Sequence, residues 1–214
     1  MLERGLSIAK INWKYNLLPH FLVAALLCIV SPLLMGVENL DEEQVAAIIE
    51  VYLSFLGIIL LVPLFLPDTN REIRDLTASK NTPLLPVRLI RLAEAVILLA
   101  ALLIGYLLFL KMGSCQFRFG VFLYAAFATC LFQGGLGVLF YSVVDNIVFA
   151  YMIPFLYFVL SMGGASKLLG KFSLFGLRME LAVGGTGTGG KIYLFGAAML
   201  MLAAGLIIRK ATRR

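Results

Sequence analysis

A glycine-rich run that ends in a lysine comes nearest, in this sequence, to a site that could do chemistry. Residues 185–191 place glycines and Lys191 at nearly the spacing of a phosphate-binding loop, whose backbone N–H groups cradle phosphate while its lysine reaches the outer oxygens. That pattern needs Ser or Thr after the lysine to bind Mg²⁺, and Ile192 stands there, at the start of an apolar segment. We therefore expect a flexible connector and no nucleotide site.

The other candidates for catalysis are isolated. His20 is the only histidine of the chain, and a nucleophilic or phosphatase mechanism needs a histidine paired with a second reactive group. His20 has no such partner at helical spacing, so we expect a structural or interfacial role. The three cysteines have no metal-ligand spacing, which favours packing, and no metal or cofactor is expected on this chain.

Polar residues inside apolar stretches are the remaining site candidates. Glu50, Gln133 and Asp145 are the residues we select, because a buried polar group in a membrane is costly and marks function by default. Glu50 and Asp145 fall near the ends of apolar stretches, where we expect water to reach them. Gln133 opens the run Gln-Gly-Gly-Leu-Gly, which permits either close helix packing or a bend that lines a pathway.

A polar interruption at residues 67–91 separates two long apolar runs. Its middle, from Asp68 to Lys80, predicts a short helix capped by Asp68 or Thr69. Pro83 and Pro86 then predict a turn before the next apolar run. The segment is either a solvated loop or a docking element for a soluble partner, and the docking alternative selects five residues: Arg71, Glu72, Arg74, Asp75 and Leu76.

Composition places the chain in a membrane. Hydrophobic residues make up 61% of 214 and charged residues only 14%, which is more apolar side chain than a soluble domain of this length can bury. The net charge of +6 does not indicate nucleic acid, because the basic residues lie at the ends of the apolar runs, where they set topology and meet anionic lipid. No removable signal peptide is expected.

The sequence predicts a single all-α membrane domain with six spans. Residues 1–19 predict an amphipathic interfacial helix ended by Pro19, and residues 163–191 predict an outer loop with two short surface-lying or re-entrant segments. The loop separates span five from span six and its basic tail (192–214). Spans one and two occupy residues 20–66, and spans three to five occupy 92–162; the six spans are His20–Met35, Val45–Leu66, Leu92–Leu110, Phe119–Val144, Ile147–Met162 and Ile192–Ile208.

Charge asymmetry predicts the orientation. With six spans, twelve of the eighteen Lys and Arg residues lie on the side of the two termini and six on the other side. The first loop, residues 36–44, is acidic. The positive-inside rule therefore predicts that both termini and the 67–91 segment are cytoplasmic, in what we expect to be a bacterial plasma membrane.

The order of these elements resembles the membrane (permease) subunit of ABC exporters of the type-two class, the class that includes the G-subfamily exporters. The shared order is an amphipathic helix, a charged cytoplasmic helix between spans two and three, a nearly absent loop between spans four and five, and a partly apolar loop before span six. The resemblance is architectural and covers essentially the whole chain. The short first span and the Gly-rich end of the outer loop are atypical.

The resemblance implies a function and partners. Residues 68–80 would be the coupling helix that docks on a separate nucleotide-binding ATPase subunit, which would hold ATP and Mg²⁺. A second membrane subunit, identical or homologous, would complete a pathway for a lipid, drug or peptide antibiotic. Two other classes stay open at this point: a non-transporting immunity or binding protein for a peptide, and a small intramembrane enzyme, which the absence of a paired nucleophile and base disfavours.

Overall fold

The computed structural model describes residues 2–36, 38–68, 84–163, 169–185 and 187–212, and every regular element in these ranges is helical. Five of the described helices are long and apolar enough to cross a membrane, and a sixth apolar helix is shorter. The chain therefore has the helices of a multi-pass membrane protein. The predicted helix Asp68–Lys80 falls, after its first residue, outside the described residues.

Seven helices build the described part of the fold. In chain order they are α1 (residues 2–35), α2 (Glu42–Asp68), α3 (Leu84–Met112), α4 (Phe119–Val144), α5 (Ile147–Met162), α6 (Gly176–Ala182) and α7 (Gly189–Thr212). Two of them change their winding: α1 contains the π-helical turn Trp13–Leu17, and α2 contains the π-helical turn Ile49–Leu53 and ends in the 3₁₀ segment Val62–Asp68. A short 3₁₀ turn, Gly170–Phe172, precedes α6.

Pro19 does not end the first helix, contrary to the sequence prediction. The π-helical turn Trp13–Leu17 runs directly into the α-helical segment Leu18–Met35, with Pro19 in the first turn of that segment. The helix continues through Pro19, which lacks an N–H, because the wider π-helical turn before it shifts the bonding register. The predicted interfacial helix and the short first span are therefore one helix.

The third helix begins earlier than predicted. Pro86 was expected to hold the chain in a turn until residue 91, but α3 starts at Leu84 and places Pro86 in its first turn. A proline is tolerated in the first turn of a helix, which explains the difference. As a result Arg88 and Arg91 belong to a helix of the bundle and not to a surface loop.

Contacts between side chains give the direction of each helix. Glu50 of α2 meets Lys191 of α7, while Asp145, just after α4, meets Arg209 of α7. Helices α2, α4 and α7 therefore run parallel, from what we call the Glu50 end to the Arg209 end. Helix α5 runs in the opposite direction. It starts next to Asp145, at the Arg209 end, where the Asn146 side chain accepts the Val148 N–H at 2.8 Å. Near its C-terminus Tyr157 donates to the Phe172 carbonyl at 2.7 Å, toward the Glu50 end.

Helix α4 is the centre of the bundle, and glycines let its neighbours approach it. A Cβ added at Gly57 of α2 would collide with the Cys130 carbonyl of α4, and a Cβ at Gly134 would lie 2.6 Å from the Gly57 carbonyl oxygen. Small residues at such contacts let two helix backbones pack closely inside a membrane. The glycines that follow Gln133 therefore lie at close helix contacts.

Candidate functional site

The buried face of α7 carries a cation near each end. Lys191 and Arg209 are 1% and 2% exposed, and Leu194, Ala198 and Leu202 lie buried between them. Eighteen residues of helix separate the two cations, which corresponds to about 27 Å at 1.5 Å per residue. This distance is close to the thickness of the hydrocarbon core of a bilayer, about 30 Å.

Lys191 makes the centre of a buried polar cluster at the Glu50 end. Its Nζ lies 3.0 Å from Glu50 Oε1, 3.1 Å from Thr129 Oγ1 and 2.6 Å from the Leu174 carbonyl oxygen. These three acceptors use the three N–H bonds of the ammonium group. Glu50 Oε1 also accepts the Leu177 N–H at 2.7 Å. The cluster therefore joins α2, α4, α7 and the segment that leads into α6.

The buried position of Glu50 corrects the expectation that water reaches it. Glu50 is fully buried and lies in the π-helical turn Ile49–Leu53. Turns of this kind interrupt the regular spacing of an α-helix and often occur at functional sites. The sequence contained no signal for the pair, because Lys191 lies 141 residues further along the chain.

The glycine run at the start of α7 was predicted to be a flexible connector, but hydrogen bonds hold its last two glycines in place. The Glu180 carboxylate accepts the Gly189 N–H at 3.1 Å and the Gly190 N–H at 2.7 Å. The first N–H groups of a helix form an anion site, and here an acid of the protein occupies it. Because Lys191 is paired with Glu50, the described part of this run leaves neither the lysine nor these helix N–H groups for a phosphate.

A second ion cluster lies at the Arg209 end. Asp68, the last residue of α2, accepts from Arg88 Nε and from Arg91 Nη1 at 2.8 Å each. Arg88 and Asp68 are both buried. The Asp68 carboxylate therefore joins the start of α3 to the end of α2. The prediction that Asp68 or Thr69 caps the following helix lies outside the described residues.

Aromatic rings complete the same cluster. The Arg209 guanidinium pairs with Asp145 and lies 5.3 Å from the Phe65 ring centre and 5.1 Å from that of Tyr141, while Arg88 lies 5.6 Å from Phe65. Guanidinium groups are attracted to the faces of aromatic rings. Asp145 itself is half exposed and occupies the left-handed conformation, with φ of 54°, in the two-residue turn between α4 and α5.

The sequence-selected polar residues do not converge on one site. Glu50 and Asp145 belong to clusters at opposite ends of the bundle. Gln133 lies between them, fully buried, and its amide makes no hydrogen bond to the described residues. His20 Nδ1 donates a hydrogen bond to the Asn16 carbonyl oxygen at 2.7 Å. The docking candidates Arg71, Glu72, Arg74, Asp75 and Leu76 lie outside the described residues.

The described residues contain no group of three or more His, Cys, Asp or Glu side chains that could hold a metal ion. No protein-family model matches the chain, and no curated protein or solved structure is significantly similar to it.

Proposed function

We propose that this chain is the membrane subunit of an ATP-driven ABC exporter of the type-two class. The observation that supports the proposal best is the attachment of the charged segment 69–83 to the bundle. Asp68, immediately before the segment, is bound to Arg88 and Arg91 in the first two turns of α3, which follows it. A buried carboxylate held by two guanidinium groups joins the end of α2 to the start of α3, the two helices that flank the segment.

A fixed base is what a coupling element needs. Movement of an ATPase subunit can change the membrane helices only if the segment it grips is rigidly joined to them. Asp68 ends α2, and the two arginines lie in the first two turns of α3, so a displacement of the segment acts on both helices together. A solvated loop would need no such attachment.

The proposal includes the partners that the function requires. A separate nucleotide-binding subunit supplies ATP and Mg²⁺, and a second membrane subunit, identical or homologous, completes the pathway for a hydrophobic or amphipathic substrate. In this proposal the chain has six spans, and the excess of Lys and Arg on the side of the two termini assigns the termini and segment 69–83 to the cytoplasm. We assign α5 as the fifth span. It has 16 residues, about 24 Å at 1.5 Å per residue, and Tyr157 near its C-terminus bonds the Phe172 carbonyl toward the Glu50 end.

Charge changes in the segment test the coupling role. We expect Glu72→Ala and Arg74→Glu to weaken association with an ATPase, because removal of one partner from a desolvated charge pair costs about 2–5 kcal/mol. The measurement is affinity purification of the tagged full chain from its native host, with identification of co-purified proteins that carry a complete phosphate-binding loop. Lys210→Glu, an exposed charge change at the same end of the bundle, is the control.

Purification of the unaltered chain without any ATPase would contradict the exporter function and favour a peptide-binding membrane protein. If both variants still associate fully with the ATPase, the exporter function stands and segment 69–83 is not its docking element.

Orientation is tested by cysteine labelling in intact cells. In a background that replaces Cys28, Cys115 and Cys130 by serine, we expect Glu42→Cys to react with a membrane-impermeant maleimide and Lys210→Cys to react only after the cells are opened. Both positions are at least partly exposed, and they lie at opposite ends of the bundle. Equal labelling of the two in intact cells would contradict the six-span topology.

A further inference from the structure

A short segment covers the polar cluster around Lys191 and has its own internal main-chain bonding. This segment, residues 170–184, contains the 3₁₀ turn Gly170–Phe172 and helix α6, and we call it the lid. Every main-chain to main-chain hydrogen bond of the lid within the described residues lies inside residues 169–185. The lid can therefore separate from the described helices without breaking a ladder of main-chain bonds.

Two buried side chains hold the lid in place. Lys191 donates to the Leu174 carbonyl at 2.6 Å, and Glu50 accepts the Leu177 N–H at 2.7 Å. The remaining side-chain bonds between the lid and the described helices are at least partly exposed, so water competes for them. They join Phe172 to Tyr157, Lys171 to Tyr193, Arg178 to Glu43, and Glu180 to the N–H groups of Gly189 and Gly190. The two bonds from the buried pair are shielded from this competition.

Two leucines supply the apolar part of the contact. Leu174 and Leu177 are fully buried, and Phe175 between them lies with its ring centre 5.7 Å from that of Phe158. Burial of apolar side chains is not directional, so it favours closure without fixing the lid at one position. The hydrogen bonds to the buried pair fix that position.

A glycine in the left-handed conformation lies at each end of the lid. Gly170 has a φ of 50° and Gly184 a φ of 75°, values that favour glycine because it has no Cβ. A Cβ added at either position would meet no atom within 4 Å, so the backbone conformation requires these glycines and crowding does not. Hinges are a few such residues, at the ends of elements, that absorb a change in φ and ψ.

The closed lid leaves two buried oxygen atoms without a hydrogen bond to the described residues. They are Ser173 Oγ in the lid and Glu50 Oε2 in the cluster beneath it. Ser173 directly precedes Leu174, whose carbonyl binds Lys191, so both oxygens belong to residues at the contact between lid and cluster. A buried polar atom without a partner is costly. Opening of the lid lets water reach these atoms, which favours the open state.

We propose that the lid opens as one unit about Gly170 and Gly184, and that the Glu50–Lys191 pair is its lock. Each ion of the pair binds one main-chain group of the lid, so loss of the pair releases the lid and admits water to the cluster. Helices α2 and α4 stay packed, because their close contact does not involve the lid. The inference does not depend on the proposed transport function.

Hydrogen–deuterium exchange of the full chain in lipid nanodiscs, measured by peptide mass spectrometry, tests the lid. In the unaltered chain we expect lid peptides that contain the Leu177 amide to exchange at least ten-fold faster than peptides from the buried middle of α4. The reason is that opening of the lid requires no unfolding of the bundle. Exchange of the Leu177 amide only as slow as that of α4 would overturn the proposal without any variant.

A double variant tests the lock. Glu50→Gln with Lys191→Met removes the pair without leaving an unpaired ion, so we expect a stable bundle with α4 exchange unchanged. Exchange of the lid should nevertheless rise at least ten-fold, because its two buried polar contacts are lost or weakened. Arg178→Met is the control, since it removes an exposed pair with Glu43 from the lid itself, and it should change lid exchange less than two-fold.

Three results would contradict the lock. Lid exchange in the double variant could equal that of the unaltered chain, or the lid and α4 could accelerate together, as expected of a pair that only stabilises the bundle. An effect of Arg178→Met as large as that of the double variant would show that the exposed contacts hold the lid instead.

Discussion

Replacing Lys191 by methionine is expected to lower the free energy of unfolding by about 3–5 kcal/mol, because the change leaves a buried carboxylate without its cation. Glu50 would keep the Leu177 N–H and lose the ammonium group at 3.0 Å. The Leu174 carbonyl and Thr129 hydroxyl would lose a donor as well. The measurement is unfolding of the purified chain by a denaturing detergent, followed through exposure of Cys130.

Two further variants identify the cause. Lys171→Met removes an exposed base from the same end of the bundle and should cost no more than about 1 kcal/mol. The double variant Glu50→Gln with Lys191→Met removes both charges and should recover most of the lost stability, because no unpaired ion remains. If Lys191→Met is as stable as Lys171→Met, the buried pair does not hold the bundle together.

Replacing Gly57 by alanine is expected to cost about 3 kcal/mol or more, since an added Cβ would collide with the Cys130 carbonyl of α4. Overpacking in a rigid core costs about 1–3 kcal/mol, and more where backbone must move. The collision here is with backbone, and the Cys130 thiol that donates to the Leu53 carbonyl at 3.0 Å would be displaced with it. The same detergent unfolding assay measures the loss.

Gly105→Ala and Gly196→Ala serve as matched controls for Gly57→Ala. Both glycines lie in helices and have open space around an added Cβ, so alanine should be neutral or slightly stabilising, as its helix propensity is about 1 kcal/mol better. Equal stability of all three variants would show that α2 and α4 can separate without cost.

Hydropathy predicted most of the fold, because each apolar helix consists of one contiguous run of apolar residues. Its errors lie at Pro19 and Pro86. The sequence shows a residue that usually breaks helices, but neither the π-helical turn before Pro19 nor the position of Pro86 in a first turn. The candidate site was harder. Glu50 could be selected from its apolar surroundings, whereas Lys191 was assigned to a connector because its partner is distant in sequence and the pairing leaves no periodic signal.

The separation of Glu50 from Lys191 has a consequence for biogenesis. Lys191 is synthesised 141 residues after Glu50, a delay of about 7–28 s at 5–20 residues per second. If the helices enter the membrane in chain order, α2 must wait that long for the only ammonium group that contacts its glutamate among the described residues. The Glu50–Lys191 cluster therefore cannot form until α7 enters the membrane. A product truncated before α7 would leave the Glu50 carboxylate without a cation, which is costly in a membrane.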